Sequence, residues 1–170
     1  MLDKKVAELI NTQVNKEFYS AYLYLDFANY YKDAELNGFS NWYQVQAQEE
    51  RDHAMMFYQY LQDNDQLVTL EGIARPESRL DDMMAPLRQA LEHEEFVTAS
   101  INTIYAAASE VNDYRTLRFL DWFINEQAEE EKSALDLIAK VEQFASDARG
   151  GLYLLDQELA ARVYTAPVQS

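Results

Sequence analysis

The chain has 170 residues with a formal net charge of −16, and 48% of its residues are hydrophobic. This length and apolar content predict a single domain over residues 1–170 with a sizeable core, and the absence of cysteine excludes disulfides, iron–sulfur clusters and cysteine nucleophiles. The negative charge disfavours nucleic acids and anionic membranes as partners, and because there is no signal segment and no run of about 18 apolar residues, we expect a cytoplasmic protein.

The predicted elements are all helices, because only 4 Gly and 3 Pro occur and no stretch alternates β-branched residues. Four long segments carry apolar residues spaced alternately three and four apart, which is the inward stripe of a packed helix bundle. We expect the first helix over about residues 3–32, the second over 37–64, the third from about Asp81 and the fourth over 114–144. Ser78 is a candidate cap for the third helix, and Pro86 is tolerated in its first turns.

Gly150-Gly151 predicts a break before a short fifth helix over about residues 152–163. A helix of this length is unstable alone, so Leu152, Leu155 and Leu159 must be buried against something. We expect these leucines to pack against other copies of the chain in a homo-oligomer.

The connections predict the order of the bundle. The first and second helices, and the third and fourth, are joined by short links, so each pair is antiparallel. The link over residues 65–80 is long: about 15 extended residues reach roughly 50 Å, whereas a helix of about 26 residues is roughly 39 Å long. The link can therefore cross the whole bundle, which predicts an all-α four-helix bundle with one long crossover and a short fifth helix.

Each of the four long helices carries polar side chains near its middle, on the stripe that should be buried. A buried carboxylate is costly unless it is paired or binds a metal. Whichever way each helix points, its centre falls at the same level of the bundle. These residues are Glu17 on the first helix, Glu50 and His53 on the second, Glu94 on the third, and Gln127 and Glu130 on the fourth. The sequence therefore predicts a dinuclear metal site between two apolar layers.

Glu50 and His53 form a Glu-x-x-His step, and residues three apart share a helix face. Such a step alone is common on helix surfaces, so the prediction depends on its agreement with the other helices. Carboxylate oxygens with one imidazole nitrogen suit Fe(II), Mn(II) or Zn(II). We expect Glu17, Glu50 and His53 to bind a first ion and Glu50 to bridge to a second ion at Glu94, with Glu130 as a further ligand.

Tyr24 and a second acidic cluster lie near these positions. Tyr24 is two turns from Glu17, where its phenol can donate a hydrogen bond to a ligand, supply an electron during O₂ reduction, or simply fill the core. Glu49, Glu126 and Glu129 can form a third metal position beside the first two, or a solvated face whose charges only stabilise helices. His93 is expected at the surface or in a subunit contact.

Several runs resemble bacterial non-haem ferritins, and the resemblance covers the whole chain. They are Asn-Gly-Phe-Ser-Asn-Trp42, Gln48-Glu-Glu-Arg-Asp-His53-Ala, Leu91-Glu-His-Glu94 and Asn125-Glu-Gln-Ala-Glu-Glu-Glu-Lys132. The resemblance implies a ferritin-like bundle and a ferroxidase that oxidises Fe(II) with O₂ or hydrogen peroxide. It also implies a hollow 24-subunit shell that stores ferric mineral, and it favours a third iron position at Glu49, Glu126 and Glu129.

Two details separate this chain from related di-iron proteins. Where bacterioferritin and rubrerythrin carry a second Glu-x-x-His, this chain has Gln127-x-x-Glu130. Without the second histidine, we expect the second ion to be bound weakly. Weak binding suits iron that passes through the site and is not a permanent cofactor. Bacterioferritin binds haem through a methionine at a subunit contact, and the matching residue here is Asp52, so no haem is predicted. The alternatives are a di-iron oxidase or peroxidase of another ferritin-like branch, and a metal-free helical interaction protein.

Overall fold

The computed structural model describes residues 2–145 and 150–167. In these ranges it contains five helices and no strand: α1 Lys4–Asp33, α2 Asn37–Asp63, α3 Ala85–Glu110, α4 Tyr114–Ala145 and α5 Gly150–Ala160. The all-α class, with a four-helix bundle and a short fifth helix, is therefore confirmed. Within the described ranges, no helix combines the length and the apolar character that crossing a membrane requires.

The ends of the helices follow local capping, with one difference from the prediction. Asp3 caps α1, since its carboxylate accepts hydrogen bonds from the backbone N–H groups of Lys5 and Val6 at 2.9 and 3.2 Å. The predicted start of the third helix near Asp81 was wrong. A turn at Asp82, whose carboxylate accepts from the Met84 N–H at 2.8 Å, delays the start of α3 to Ala85.

Contacts along the bundle show the direction of each helix. Contacting pairs run in opposite sequence order between α1 and α3, and again between α2 and α4: Lys5–Glu110 and Ser20–His93, then Tyr60–Thr116 and His53–Trp122. Both pairs are antiparallel, as are the helices joined by short turns. Therefore α2 and α3 are parallel, and the segment between them crosses the length of the bundle, as predicted.

This crossover lies along the outer side of α1. The side chains of Asn11 and Asn15 both donate to the Thr69 carbonyl oxygen, at 3.1 and 3.0 Å. Further along, the Ser78 hydroxyl donates to Asp26 at 2.6 Å, so Ser78 ties the crossover to α1 and is not the predicted helix cap. The anchored stretch of α1 from Asn11 to Asp26 is about 22 Å long.

The core consists of two hydrophobic clusters at opposite ends of the bundle. One is built mainly from aliphatic residues and phenylalanine, including Ile10, Phe57, Ile101, Leu120 and Phe123. The other is rich in tyrosine and is closed by α5, and it includes Tyr24, Tyr31, Tyr43, Leu87 and Val141. The two predicted apolar layers are present, and the polar residues of the helix centres lie between them.

The fifth helix docks on its own bundle. Leu155 and Leu159 are buried in the tyrosine-rich cluster, and Leu152 packs against it. The prediction that other copies of the chain bury these leucines was therefore wrong. The reason lies in Asp156, whose carboxylate oxygen accepts from the N–H groups of Gly38 and Phe39 at 2.7 and 3.1 Å. No side chain within α2 caps these groups, so α5 supplies the cap.

Two glycines make this docking possible. A Cβ atom on Gly38 would lie 1.6 Å from the Asp156 carbonyl oxygen, and one on Gly151 would lie 2.5 Å from the Phe144 carbonyl oxygen. Both distances are too short for any side chain. Gly150 and Gly151 were predicted to separate two helices, but they form the first turn of α5, which ends at Ala160. Residues 146–149 between α4 and α5 lie outside the described residues.

Candidate metal centre

The predicted polar residues lie together between the two hydrophobic clusters. Glu17 is 1% exposed, Glu50 and His53 are each 2% exposed, and Glu94 is 3% exposed. Gln127 is also buried, and Glu130 is partly buried. Burial of so many carboxyl groups in one layer is costly unless something binds them.

Glu17, Glu50 and His53 form the tighter half of the centre. One ligand atom from each of these three residues lies within 4.8 Å of the other two. The Nδ1 atom of His53 is 3.4 Å from an oxygen of Glu50. The second carboxylate oxygen of Glu17 is buried and has no hydrogen-bond partner. An unpaired buried oxygen beside a carboxylate and an imidazole fits a divalent cation, which would take these three atoms as ligands.

Glu94, Gln127 and Glu130 form the other half. One oxygen of Glu94 accepts a short hydrogen bond from the Tyr24 hydroxyl, and the other accepts from the Gln127 amide at 3.0 Å. A cavity of about 20 Å³, room for about one water molecule, is lined by residues that include Tyr24, Glu94 and Glu130. In the part of the chain that the structure describes, Glu94 and Glu130 do not belong to a group of three acidic, histidine or cysteine side chains within ligand distance. Hydrogen bonds from Tyr24 and Gln127 hold Glu94 in place.

Three glutamines orient the carboxylates of the centre. Gln13 donates to Glu17 at 2.7 Å and Gln46 donates to Glu50 at 3.1 Å, each from four residues earlier on the same helix face. Gln127 does the same for Glu94 from α4. Sequence reasoning did not identify Gln13 and Gln46 as functional residues. Their spacing of four residues before each glutamate is the signal that identifies them.

The charges of the tighter half are arranged as an ion pair with a neutral neighbour. Burial is the largest influence on His53 and opposes its charge, but Glu50, Glu17 and Glu130 together raise the pKa of His53 to about 10. Burial is also the largest influence on Glu50 and would raise its pKa, but His53, Gln46 and His93 together lower it. Burial raises the pKa of Glu17 to about 8, with a further contribution from Glu50. At neutral pH, Glu50 is therefore negatively charged, His53 is protonated, and Glu17 is mostly neutral.

The second half carries neutral carboxyl groups. Burial raises the pKa of Glu94 to about 8, and the charge of Glu50 contributes in the same direction. Burial also raises the pKa of Glu130 well above its usual range, with Glu94 and Glu50 adding to the shift. A metal that binds here must displace protons, so metal binding is coupled to pH.

Tyr24 is both a core aromatic and a hydrogen-bond donor to the centre. Its ring stacks on Tyr43 with centroids 5.6 Å apart and meets Phe27 edge-on at 5.8 Å. Its hydroxyl donates to Glu94, and burial, followed by the charge of Glu94, raises the pKa of Tyr24 well above its usual value. The phenol is therefore protonated at neutral pH and can donate to Glu94. Its role as an electron source stays a prediction.

The carboxylates of the second acidic cluster, Glu49, Glu126 and Glu129, do not point to a common position. Glu126 is partly buried, with an oxygen 3.7 Å from Nε2 of His53. Glu49 is turned toward Arg162, whose guanidinium lies 2.5 Å away, and Glu129 is exposed. Burial raises the pKa of Glu49, although Arg162 opposes the shift, and burial raises that of Glu126. In the described ranges these three residues do not form a common ligand group.

His93 is only partly exposed on its own chain, and a subunit contact there stays a prediction. Its ring is half-buried, and Nε2 lies 2.7 Å from the hydroxyl oxygen of Ser20 on α1. The ring also contacts Tyr19 and Tyr24, with centroids 6.1 and 6.0 Å apart. Burial lowers the pKa of His93, so the ring is neutral at physiological pH and packs between α1 and α3.

The fold and the centre together define a ferritin-like helical bundle with a candidate carboxylate–imidazole metal centre. The family model described as "Ferritin-like domain" matches residues 7–144. The chain belongs to the ferritin family.

Several relatives resemble the chain over nearly its whole length. The bacterial non-heme ferritin of Campylobacter jejuni is 36% identical over 157 residues, which are 92% of this chain and 93% of that protein. That of Staphylococcus haemolyticus is 34% identical over 164 residues, 96% of this chain and 98% of that protein. Among solved structures, the open-pore ferritin of the archaeon Archaeoglobus fulgidus has a TM-score of 0.92 at 40% identity, covering 96% of this chain and 100% of that one.

Proposed function

We propose that the protein stores iron and acts as a ferroxidase, oxidising Fe(II) to Fe(III) at the centre formed by Glu17, Glu50, His53, Glu94 and Glu130. The observation that supports this most is the buried, unpartnered oxygen of Glu17 beside Glu50 and His53. Most buried polar atoms in folded proteins have a hydrogen-bond partner, so an unpartnered carboxylate oxygen beside two further ligand atoms favours a bound cation. The names of the bacterial relatives support iron as the substrate.

In this proposal the two halves bind one Fe(II) each. Glu17, Glu50 and His53 bind the first ion, and Glu50 bridges to the second ion at Glu94 and Glu130. Gln127 holds Glu94 in place by its hydrogen bond. Two Fe(II) ions supply the two electrons that reduce O₂ to hydrogen peroxide or peroxide to water. Iron is substrate here, so the weaker second half suits release of Fe(III) to the mineral.

Glu49, Glu126 and Glu129 remain candidates for a third iron position. Glu126 already faces His53, so an ion between them and Glu49 would lie next to the first two. Glu49 would have to leave Arg162 to join it. Tyr24 is proposed as a nearby electron source, because its hydroxyl contacts Glu94 directly. If it is, Tyr24→Phe should alter the transient absorbance after mixing with O₂ more than it alters Fe(II) affinity.

Storage requires a shell, and we propose the 24-subunit assembly of the family. On α5, Tyr153 and Leu154 are exposed at 64% and 69% while its leucines at 155 and 159 are buried. Large apolar side chains left outside fit a contact between copies. Analytical ultracentrifugation should show a particle of roughly half a megadalton. A cytoplasmic location is part of the same proposal and rests on the family alone.

A di-iron oxidase or peroxidase of another ferritin-like branch is the second candidate, since it would use the same carboxylates. Gln127 and Glu130 argue against it, because they provide no second imidazole to retain the metal. The experiment is to mix the apo protein with Fe(II) and O₂ and to measure absorbance and particle size. Growth of a ferric core inside a large shell supports storage. A small oligomer that keeps two ions per chain and forms no mineral supports the oxidase.

A further inference from the structure

The segment after α5 folds back along α2. The Asn41 amide donates to the carbonyl oxygens of Leu159 and Arg162 at 3.2 and 3.0 Å. Two residues after Arg162, the hydroxyl of Tyr164 donates to Asp52. The C-terminal segment, residues 161–167, is therefore anchored along about 16 Å of α2, from Asn41 to Asp52.

Within this segment, Arg162 reaches furthest toward the centre. Its guanidinium stacks over the Trp42 ring at 4.1 Å and donates to the Trp42 carbonyl oxygen at 3.3 Å. The same Nη1 atom donates to the Gln46 side-chain oxygen at 2.9 Å, while Nη2 contacts Glu49 at 2.5 Å. Only 20% of the side chain is exposed. The planar fork of arginine is well suited to hold several acceptors in one fixed arrangement.

These contacts determine which way the Gln46 amide points. A guanidinium has only donors, so the Gln46 atom that faces it must be the oxygen. The Gln46 nitrogen then faces the other way and donates to Glu50 at 3.1 Å. With the amide flipped, its oxygen would face the Glu50 carboxylate and its NH₂ group would face the guanidinium, and both contacts would be repulsive.

The contacts from Arg162 through Gln46 to Glu50 form a relay from a cation through a glutamine to a carboxylate. A second relay of the same kind orients Glu17. Lys16 donates to the Ser100 hydroxyl at 2.6 Å, and Ser100 donates to the Gln13 oxygen at 2.6 Å. Gln13 then donates to Glu17 at 2.7 Å. In both relays a cation from outside the polar layer fixes a glutamine, and the glutamine fixes a carboxylate.

We propose that Arg162 is a positioning residue for the metal centre: through Gln46 it orients Glu50, and it thereby couples docking of the C-terminal segment to metal binding. The inference rests on the proposed function, because it requires Glu50 to be a ligand. Linkage makes the coupling reciprocal, so metal binding must also strengthen docking of residues 161–167.

The first test is an anaerobic Co(II) titration of the assembled protein, read from the visible absorbance of bound Co(II). Arg162→Ala should weaken the tightest Co(II) binding by about threefold to tenfold, less than the roughly 10–100-fold loss when a group bonded directly to a ligand is removed. Arg162→Lys should recover part of the affinity. Lys4→Ala is the control: it removes a positive charge and the exposed 3.7 Å contact with Glu8 within α1, and should change nothing.

A double-mutant cycle separates the relay from a general loss of stability. Gln46→Leu, or Gln46→Met if that variant assembles better, should weaken Co(II) binding at least as much as Arg162→Ala. Adding Arg162→Ala to it should have no further effect, because the two residues act in series. Hydrogen exchange of residues 161–167 should slow when Co(II) binds to the wild type.

Unchanged Co(II) affinity in Arg162→Ala, or effects of the two substitutions that simply add, would overturn the role of Arg162. The proposed function has its own check in the same titration. If Glu50→Ala binds Co(II) as tightly as the wild type, the assignment of Glu50 as a ligand fails, and the proposal for Arg162 fails with it.

Discussion

In the described ranges, Glu17, Glu50 and His53 on α1 and α2 already lie within ligand distance of one another, whereas Glu94 and Glu130 on α3 and α4 belong to no such group of three. The first half contains the imidazole and an oxygen without a partner. In the second half, both oxygens of Glu94 are occupied, by Tyr24 and Gln127. A metal entering the first half must displace the proton of Glu17 and separate the Glu50–His53 ion pair. A metal entering the second half must compete with the hydrogen bonds that Glu94 accepts.

In the proposed function, the bundle holds two metal positions of different strength at the same level. The difference follows from a few side chains, since Gln127 offers an amide where an imidazole would bind metal more strongly. In that proposal the strong position keeps the shared ligand Glu50 in place, and the weak position lets the product leave. Substitutions in either half can remove this difference or measure it.

Removal of Glu50 should have the largest effect, because it takes a ligand from both halves at once. Glu50→Ala should slow the fast phase of Fe(II) oxidation by roughly 100-fold or more, beyond the loss typical of groups outside the ligand shell. His53→Ala and Glu94→Ala should follow with smaller losses. Stopped-flow absorbance measures the initial rate. Glu8→Ala, which changes an exposed glutamate on α1, is the control.

A wild-type rate in Glu50→Ala would show that oxidation occurs elsewhere in the protein. A rate that falls equally in Glu8→Ala would point to the loss of surface charge and not to the centre.

Adding a histidine to the second half should remove the difference in metal affinity between the two halves. The double substitution Gln127→Glu and Glu130→His creates a second Glu-x-x-His step on α4, opposite the one at Glu50 and His53. The added imidazole should tighten the second ion by about tenfold, in the range that ligand-shell changes produce. Metal analysis after rapid desalting measures the ions retained. The single substitution Gln127→Glu is the control, since it adds charge without an imidazole.

If the double variant retains no more metal than the wild type, the weakness of the second half does not come from its missing imidazole. The hydrogen bonds that occupy Glu94 would then be the cause, and Tyr24→Phe in the double variant would test that.

The third prediction concerns stability of the metal-free protein. Burial raises the pKa of Glu17 from 4.5 to about 8, so between these values the folded state binds more protons than the unfolded state. The contribution of Glu17 is therefore fully present below pH 4.5 and is lost as pH rises toward 8. Glu17→Gln removes this loss, and its new amide can donate to Glu50. The variant should equal the wild type in stability or exceed it by about 1–3 kcal/mol near pH 8.

Denaturant unfolding in the presence of a chelator at pH 5 and pH 8 measures this effect. The advantage of Glu17→Gln over the wild type should be larger at pH 8. Glu8→Gln at an exposed position should follow the wild type at both values. Clear destabilisation by Glu17→Gln at pH 8 would contradict the account of the buried carboxyl group.

The acidic cluster outside the two halves should give the smallest effect on the first reaction. In a variant with Glu49, Glu126 and Glu129 all changed to alanine, the fast oxidation at Glu50 should survive. If the cluster binds a third ion, the Fe(II) oxidised per O₂ and the rate of later turnovers should change. Anaerobic Fe(II) titration followed by O₂ addition measures both. Unchanged stoichiometry and turnover would exclude a third ion at the cluster, and Glu126→Ala or Glu129→Ala alone should then cost only a few tenths of a kcal/mol in stability.

Local spacing was enough to predict most of the fold and the buried polar layer. Glu17, Glu50 and His53 could be placed because the helical period puts each of them on a buried stripe at mid-helix. The start of α3 was missed because a turn at Asp82 competes with the helix. The docking of α5 was missed because it depends on Asp156 binding the N–H groups of Gly38 and Phe39, and helical period carries no information on such distant pairs.

The surroundings of the centre were the least predictable part. Arg162 lies 116 positions from Gln46 in sequence, with three other helices between them along the chain, so no spacing rule connects them. The same contact explains why Glu49 does not turn toward Glu126: the arginine competes for it. The surroundings of His93 could not be predicted from its position beside Glu94, because Ser20 and the aromatic rings of α1 are brought to it by the packing of two helices.

The most direct test of the account is an anaerobic Fe(II) titration by calorimetry on the wild type, His53→Ala and Gln127→Ala. The account predicts two unequal sites per chain in the wild type. His53→Ala should abolish the tighter step, and Gln127→Ala should change only the weaker one. Two equal sites, or loss of the tighter step in Gln127→Ala but not in His53→Ala, would contradict it.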